Sequence, residues 1–254
     1  MKRSIIMMIL LSCVLINLFS AQKVTIYCDK GYPPYSYMEA NVAKGIYVDI
    51  IKSALKSLPD YEVTIQAVPW KSALSMIETG EGIAMFPPYY RPKDRPWMDY
   101  DIKLFEEEVV AFVKESNAST LKDWPYNFYG KKIGINTGFA IIKEDIKNKF
   151  TIDEGKDNKT NILKLNLNRF DAYLNDRIAI EYDLKKLRSS GELKETSGKI
   201  VPSAVVSKEA AFLSFTKKDN KFPFKNDFKT KLKNQIELMH KNGEIKAIVS
   251  KWTK

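Results

Sequence analysis

The stretch Glu81-Gly-Ile-Ala-Met-Phe-Pro-Pro-Tyr-Tyr-Arg-Pro-Lys-Asp-Arg-Pro-Trp-Met-Asp-Tyr100 changes character twice within a short span. Its apolar run from Ile83 to Phe86 predicts a short buried strand. Four prolines then exclude a helix interior and a central sheet ladder, and tyrosines, a tryptophan and two arginines stand among them. Such a rigid, aromatic and cationic segment suits a pocket for a small anionic or aromatic solute. A stiff surface loop with solvated arginines would have the same composition.

The N-terminus predicts a secretory signal peptide over residues 1–21. Two basic residues precede an almost wholly apolar run, Ser4 to Phe19, and we expect cleavage after Ala21. One alternative is a retained membrane anchor, for which the run falls a little short of the roughly 20 residues that a span needs. The other is lipoprotein cleavage before Cys13, which the apolar residues beyond it disfavour. The mature chain is therefore expected outside the cytoplasm.

Charge and cysteine content narrow the function classes. The 254 residues carry 41 lysines and arginines against 31 acids, a formal net charge of +10. Because the lysines are scattered through every segment, the sequence favours a solvated surface over a nucleic-acid or membrane patch, and we expect no nucleic-acid partner. Cys28 is the one cysteine left after signal-peptide removal, so an intramolecular disulfide is excluded and a buried, inert thiol is expected.

Hydrophobic periodicity predicts a chain in which strands and helices alternate. The predicted strands cover residues 24–28, 61–68, 83–86, 109–113, 132–135, 170–174 and 210–215. The predicted helices cover 46–58, 70–79, 141–150, about 162–167, 176–187, and two segments from residue 225 to the end that break at Asn242-Gly243. Polar loops are predicted over 151–160 and 188–199. This order predicts mainly parallel sheets covered by helices, arranged as two α/β units.

A series of short motifs runs through the mature chain. They are Asp29-x-x-Tyr32-Pro-Pro-Tyr35, Gly45-Ile-Tyr-Val-Asp49, Pro69-Trp-Lys-Ser-Ala-Leu74, the Arg91-to-Arg95 loop, Gly130-Lys-Lys-Ile-Gly-Ile135, Asn168-Arg-Phe-Asp-Ala-Tyr-Leu-Asn-Asp176 and Gly243-Glu-x-x-x-Ile248-x-x-x-Trp252. Their order and spacing resemble the family 3 extracellular solute-binding proteins, the receptors of polar amino-acid uptake transporters. The resemblance covers essentially the whole mature chain.

The resemblance implies an α/β, two-lobed type II periplasmic binding protein fold, in which each lobe is a mainly parallel sheet flanked by helices. Lobe 1 would comprise residues 22–113 and 207–254, and lobe 2 residues 114–206, with crossings near Phe112 to Glu115 and near Val206 to Phe212. A small-molecule solute would bind in the cleft at the carboxyl ends of the strands, and the lobes would close on it by hinge motion. A monomer in the periplasm, without a cofactor, would deliver the solute to the membrane permease of an ABC transporter.

The resemblance also implies which residues bind the solute. Arg95 matches the family's carboxylate-binding arginine with one inserted residue, and Arg91 is the alternative; a guanidinium can grip a carboxylate by two parallel hydrogen bonds. Asp176 matches the acceptor of the α-ammonium group. Further candidates are Tyr32, Trp70, Asp29, Tyr89, Thr137 and Phe139. Alternatives are a solvated or lobe-bridging ion pair for the arginine that is not used, core packing for the tryptophan and a turn cap for the first aspartate.

The chain departs from the family where hydroxyl residues are usual. Phe86-Pro-Pro-Tyr89 follows the third strand, and prolines offer no N–H donor. In lobe 2, Phe139 and Ala140 replace the expected hydroxyls, which leaves Thr137 and the backbone N–H groups of the following helix start to meet an anion. Both changes predict a more aromatic pocket that forms fewer hydrogen bonds. An aromatic, modified or simpler carboxylate solute therefore stands beside a standard α-amino acid as the expected ligand.

Two other functions on the same fold stay open. A periplasmic enzyme of the dehydratase type would need a general acid or base in the cleft, for which Glu81 and Asp176 are the available carboxylates. The sequence has no nucleophile elbow and no metal-ligand spacing, and its one histidine, His240, lies in a lysine-rich helix. We therefore expect no catalytic residue and no metal. The other function is a binding module that reports to a membrane sensor, which the sequence does not distinguish from a transport receptor.

Overall fold

A computed structural model describes residues 21–137, 141–195, 198–218 and 221–253. The strands are β1 (Gln22–Asp29), β2 (Gly31–Tyr32), β3 (Ser36–Glu39), β4 (Val42–Lys44), β5 (Tyr61–Val68), β6 (Ala84–Phe86), β7 (Met98–Lys114), β8 (Lys132–Asn136), β9 (Thr151–Gly155), β10 (Ala172–Asp176) and β11 (Ile200–Thr216). The helices are α1 (Ile46–Leu55), α2 (Trp70–Thr79), α3 (Glu144–Lys147), α4 (Asn158–Asn166), α5 (Arg177–Ser189), α6 (Lys225–Lys241) and α7 (Glu244–Thr253). Among these helices none has the length and apolarity to span a membrane. The predicted signal peptide, apart from Ala21, lies outside the described residues.

One sheet of eight strands runs through the molecule in the order β5-β1-β6-β11-β7-β10-β8-β9, and β2, β3 and β4 form a small separate sheet. β1 pairs in parallel with β5 and β6, and β8 pairs in parallel with β9 and β10. Between these parallel groups, β7 and β11 pair antiparallel to each other along most of their 17 residues each. The predicted α/β class is confirmed.

Packing divides the molecule into two lobes that share β7 and β11. In lobe 1, Ile102 and Leu104 of β7 and Leu213 and Phe215 of β11 join the core formed by β1, α1, α6 and α7. In lobe 2, the β7 segment Val110 to Val113 packs with residues of α4, α5, β8 and β10 in two further clusters. Each long strand therefore begins in one lobe and ends in the other. The domain boundaries at residues 113 and 206 stay a prediction, and these contacts favour a first crossing a few residues earlier, near Glu106 to Val109.

Most predicted elements are found, with three differences. The prediction of a polar loop over 151–160 is wrong, because its first five residues form β9, an edge strand that pairs with β8. The polar side chains of β9 remain half-buried or exposed, and Asp153 forms ion pairs with Lys132 and Lys164. The predicted helix over 141–150 is too long: α3 spans only Glu144–Lys147 and buries no side chain, so no apolar face extends it. The strands predicted over 109–113 and 210–215 are much too short, because the remaining parts of β7 and β11 contain charged residues and only short apolar runs.

The predicted burial of Cys28 is confirmed, and burial raises the pKa of its thiol to about 12.

Gly45 sets how closely the start of α1 approaches the preceding loop. Its φ is 126°, a conformation that only glycine adopts readily. Beside it, the backbone N–H of Tyr47 in α1 donates to the carbonyl oxygen of Tyr35 in the loop, at 2.9 Å. A Cβ atom at Gly45 would lie 2.4 Å from that carbonyl oxygen. The glycine thus permits the contact that holds the loop against the helix.

Gly45→Ala is expected to lower the free energy of unfolding by about 3 kcal/mol or more, through backbone strain combined with a steric clash. Gly31→Ala is the control, since its added Cβ would lie 3.8 Å from Asp29 Oδ1, an ordinary contact. Urea unfolding of both variants and the wild type measures the difference. A loss at Gly45 no larger than that at Gly31 would show that the loop accommodates a side chain.

Candidate functional site

A cavity of about 440 Å³ lies between the lobes, bordered by the carboxyl ends of β1, β6 and β10. Its size lies within the range of small-molecule sites. Of the predicted site residues, it is lined by Asp29, Tyr32, Trp70, Tyr89, Arg91, Arg95 and Asp176. The other lining residues, which sequence reasoning did not select, are Pro87, Val109, Ile141, Asn175, Ser207 and Glu209. Loops of lobe 1, the crossing strands and the end of β10 in lobe 2 thus meet around one space.

A second cavity, of about 490 Å³, lies on lobe 1 between β7 and α6. Charges of both signs line it, and His240 is among its residues, with Nε2 3.0 Å from the Lys103 carbonyl oxygen. It contains none of the predicted site residues. The interlobe cavity is therefore the candidate site.

The two arginines of the proline-rich loop have different surroundings. Both terminal nitrogens of Arg91 lie 3.2 Å from Glu209 Oε2, so its charge is matched by a carboxylate of β11. The guanidinium of Arg95 lies over the ring of Trp70, 5.6 Å from the ring centroid, and forms no ion pair with the described part of the chain. A stacked guanidinium keeps its edge free for a bidentate contact. Arg95 is therefore the arginine whose charge is available in the cavity.

Asp176 ends β10, caps the N-terminus of α5 and is only 3% exposed. Its Oδ1 accepts hydrogen bonds from the Ala179 backbone N–H and the Tyr35 hydroxyl, each at 2.8 Å. Its buried Oδ2 accepts none from the described residues. Burial raises the pKa of Asp176 to about 6, against the opposing effect of these donors. A buried carboxylate oxygen without a donor is costly, so this one calls for a donor from outside the protein.

Hydrogen bonds between buried and half-buried side chains of lobe 2 hold Asn175, the neighbour of Asp176, in place. The Asn175 side-chain amide donates to Asn158 Oδ1 at 2.9 Å and to the Tyr173 hydroxyl at 2.6 Å, and its carbonyl oxygen accepts the Asp176 backbone N–H. Asn136 extends the network to β8. The end of β10 is thus fixed from behind the cavity wall.

Sequence reasoning missed Glu107, which is fully buried behind the aromatic wall of the cavity. The hydroxyls of Tyr32 and Tyr89 donate to its Oε2, each at 2.5 Å, and the Tyr47 hydroxyl donates to Oε1. Burial raises the pKa of Glu107 to about 8, as does the nearby charge of Asp176, although the three hydroxyl donors act in the opposite direction. The glutamate holds the rings of two lining tyrosines by their hydroxyl ends.

The remaining candidates have different positions. Asp29 Oδ1 accepts the Gly31 backbone N–H at 3.0 Å, so it caps its turn as well as lining the cavity. Thr137 is exposed and does not line the cavity; its hydroxyl donates to the Gly155 carbonyl at 3.3 Å. Phe139 lies outside the described residues. Glu81 is exposed and does not line the cavity. No group of metal-ligating side chains occurs within the described ranges.

Comparisons with known proteins agree with this architecture. The family model of the bacterial extracellular solute-binding proteins, family 3, matches residues 24–254. No curated protein matches the sequence. A similar solved structure is an ancestral amino acid-binding protein described as a precursor of cyclohexadienyl dehydratase, with a TM-score of 0.65 and 19% identity over 91% of this chain and 95% of that one.

Two further solved structures are similar. One is substrate binding domain 2 of GlnP from Lactococcus lactis, with a TM-score of 0.68 and 17% identity over 92% of this chain and 96% of that one. The other is a histidine kinase sensor domain with similarity to periplasmic binding proteins, with a TM-score of 0.66 and 13% identity over 91% and 96%. At such identities the structures show the fold alone, and the predicted two-lobed periplasmic binding fold is confirmed.

Glu107→Gln is expected to change how stability depends on pH. A carboxyl whose pKa is higher in the folded than in the unfolded chain favours folding while it is protonated. The contribution of Glu107 to the free energy of unfolding is therefore fully present below about pH 4.5 and is lost as the pH rises through about 8. The glutamine variant cannot lose that proton, so its stability relative to the wild type should increase across this interval. Urea unfolding at several pH values measures the difference, and parallel stability curves would contradict the raised pKa.

Proposed function

The chain belongs to the bacterial extracellular solute-binding proteins, family 3, and on that premise we propose that it captures a small carboxylate-bearing solute in the interlobe cavity. The observation that carries the proposal concerns two groups around one cavity: a guanidinium with no ionic partner, and a buried carboxylate oxygen with no donor, among the residues that the structure describes. An amino acid presents the two complementary groups, a carboxylate and an ammonium group. Arg95 would bind the first and Asp176 the second.

The electrostatic surroundings support a zwitterionic solute. Arg91 is matched by Glu209, so within the described ranges Arg95 is the cavity arginine without an ion-pair partner. A buried ion is stable only when it is paired or hydrogen-bonded, and the ammonium group of an amino acid would provide the donor that Asp176 Oδ2 lacks. A ligand that carries only a carboxylate would match the arginine and leave this oxygen unsatisfied.

The walls of the cavity support a solute with an apolar or aromatic part. The hydroxyls of Tyr32 and Tyr89 are already bonded to Glu107, so these residues offer mainly ring surface to a ligand. Further ring and aliphatic surface comes from Trp70, Pro87, Val109 and Ile141. Burial of apolar solute surface against such walls is favourable. We therefore propose an amino acid or related compound with an apolar or aromatic side chain.

The role that we propose for this binding activity is that of a monomeric receptor in the periplasm, which delivers its solute to an ABC permease. The family membership and the predicted signal peptide support it. Reporting to a membrane sensor is the alternative, since a histidine kinase sensor domain has the same fold. Deletion of the receptor would abolish solute uptake in the first case, and would leave uptake intact while removing a response to the solute in the second.

An enzyme on this fold is the weaker candidate. Asp176 lines the cavity with a raised pKa, as a general acid or base would, but its Oδ1 already accepts two hydrogen bonds within the protein. Glu107 does not line the cavity. Mass spectrometry of the solute before and after prolonged incubation with the protein distinguishes the two, because an unchanged solute indicates binding alone.

Arg95→Ala is expected to weaken binding of the solute at least about thirtyfold without unfolding the protein, because it removes one partner of a desolvated charge pair. Asp176→Asn retains an oxygen able to accept the Ala179 N–H and should weaken only solutes that carry an ammonium group. Mass spectrometry of solute that co-purifies with the protein identifies the ligand, and calorimetric titration measures each variant.

Arg169→Ala, at an exposed arginine of lobe 2, is the control for the loss of a positive charge. Arg91→Ala tests the alternative arginine. If Arg95→Ala binds as the wild type does while Arg91→Ala does not, the carboxylate site passes to Arg91. If neither change affects binding, the solute does not bind in this cavity through its carboxylate.

A further inference from the structure

A hydrogen bond between two buried side chains connects the lobes beside the cavity. The hydroxyl of Tyr35, in the loop between β2 and β3 of lobe 1, donates to Oδ1 of Asp176 in lobe 2 at 2.8 Å. Tyr35 has no exposed surface and Asp176 is 3% exposed. The carboxylate assigned to the solute is therefore also one of the groups through which the lobes contact each other, beside Ile178 and Ala179, which pack on the lobe 1 core.

The position of the Tyr35 ring is held from both sides. It stacks between Tyr32, at a centroid distance of 5.0 Å, and Tyr47, at 5.1 Å. The hydroxyls of these two flanking rings donate to Glu107. Gly45 allows the backbone of the same loop to pack on α1. The Tyr35 hydroxyl is thus placed in advance, with little rotational freedom to lose when it bonds to Asp176.

This placement decides which oxygen of Asp176 is left for a ligand. Oδ1 already accepts the Tyr35 hydroxyl and the Ala179 N–H, whereas Oδ2 accepts nothing from the described residues. Donors to a carboxylate favour its ionised form and counteract burial, which favours the neutral form. Tyr35 therefore both orients Asp176 and favours its negative charge.

We propose that Tyr35 is a positioning residue that makes the cavity select solutes bearing an ammonium group, by holding Asp176 ionised with one oxygen reserved for that group. The inference rests on the proposed function of the cavity. A solute without the ammonium group leaves Oδ2 buried and without a donor, which disfavours its complex. Because Tyr35 and Asp176 lie on different lobes, solute recognition and lobe closure involve the same carboxylate.

Other titratable groups face Asp176 from the surrounding elements. Glu181 on α5 raises the pKa of Asp176 through its charge. Glu107 on β7 holds its own proton up to about pH 8 and so adds little negative charge below that pH. Tyr32 and Tyr89 stay protonated, because burial raises their pKa values well above the ordinary range. Over mildly acidic to neutral pH, protonation of Asp176 is therefore the change that loss of the Tyr35 hydroxyl should affect.

The binding test compares two pairs of probes that differ by the ammonium group: L-phenylalanine with 3-phenylpropanoic acid, and L-leucine with 4-methylpentanoic acid. The variant Tyr35→Phe keeps the stacked ring and removes the hydroxyl. It should bind the amino acids about tenfold more weakly than wild type near pH 6.5, with a smaller difference at higher pH where Asp176 is ionised in both proteins. Binding of the deaminated acids should be unchanged. Tyr61→Phe is the matched control, since Tyr61 donates to Asp227 on the surface of lobe 1, away from the cavity.

A loss of affinity equal for all four probes and at every pH would show a packing defect and overturn the proposal. Wild-type protein that binds the deaminated acids as tightly as the amino acids would overturn the proposed selectivity. If none of the probes binds wild-type protein, the proposed apolar amino-acid ligand fails, and the role of Tyr35 is then judged without a ligand.

The ligand-free test is a ¹³C NMR titration of the aspartate carboxyl groups, with Asp176 assigned through Asp176→Asn. Tyr35→Phe should raise the pKa of Asp176 above its wild-type value, because one donor to the ionised form is lost. Tyr61→Phe should leave it unchanged. An identical Asp176 pKa in all three proteins would overturn the positioning role, whatever the outcome of the binding test.

Discussion

The hydrogen-bonded ladder between β7 and β11 runs through both lobes, and the candidate site depends on it. Each strand has 17 residues and contributes to the core of one lobe at one end and of the other lobe at the opposite end. Where the strands cross, they supply cavity residues, among them Val109 and Glu209, and the buried Glu107. A two-stranded connection can bend while it keeps the lobes in register, which suits hinge closure around a solute.

Two buried carboxylates, Glu107 and Asp176, anchor aromatic residues around the cavity. Glu107 accepts three tyrosine hydroxyls and Asp176 accepts one, so three of their four carboxylate oxygens are bonded to aromatic residues of lobe 1. The fourth oxygen, Asp176 Oδ2, accepts no hydrogen bond from the described part of the chain. A satisfied polar network rigidifies its surroundings, so these hydrogen bonds fix the wall of the cavity. A buried polar atom without a partner is costly, so Oδ2 is the atom of this network at which a bound ligand would gain a hydrogen bond.

Several residues that sequence reasoning placed in the site differ in their position along the chain from Glu107, which it missed. Asp29, Trp70 and Asp176 stand at the ends of strands or the starts of helices, where motif spacing locates them. Glu107 lies in a run of three glutamates that has the composition of a solvated surface segment. A β-bulge opposite Ala211 and Phe212 inserts an extra residue in β7 and shifts the inward-facing positions from even to odd numbers. Sequence alternation therefore gives no indication that Glu107 faces inward.

Strand and helix order, the two-lobed α/β class and the cluster of aromatic and arginine residues after β6 follow from the sequence alone, because they arise from local periodicity, proline positions and motif spacing. The proposal of Arg95 rather than Arg91 rests on the tertiary structure, since it depends on the ion pair of Arg91 with Glu209, which is remote in sequence. The same holds for Tyr35, whose partner Asp176 lies on the other lobe. Folding brings together residues that are distant in sequence, and it thereby decides which charges are paired, which groups are buried and which polar atoms remain for a ligand. No local sequence pattern specifies these properties.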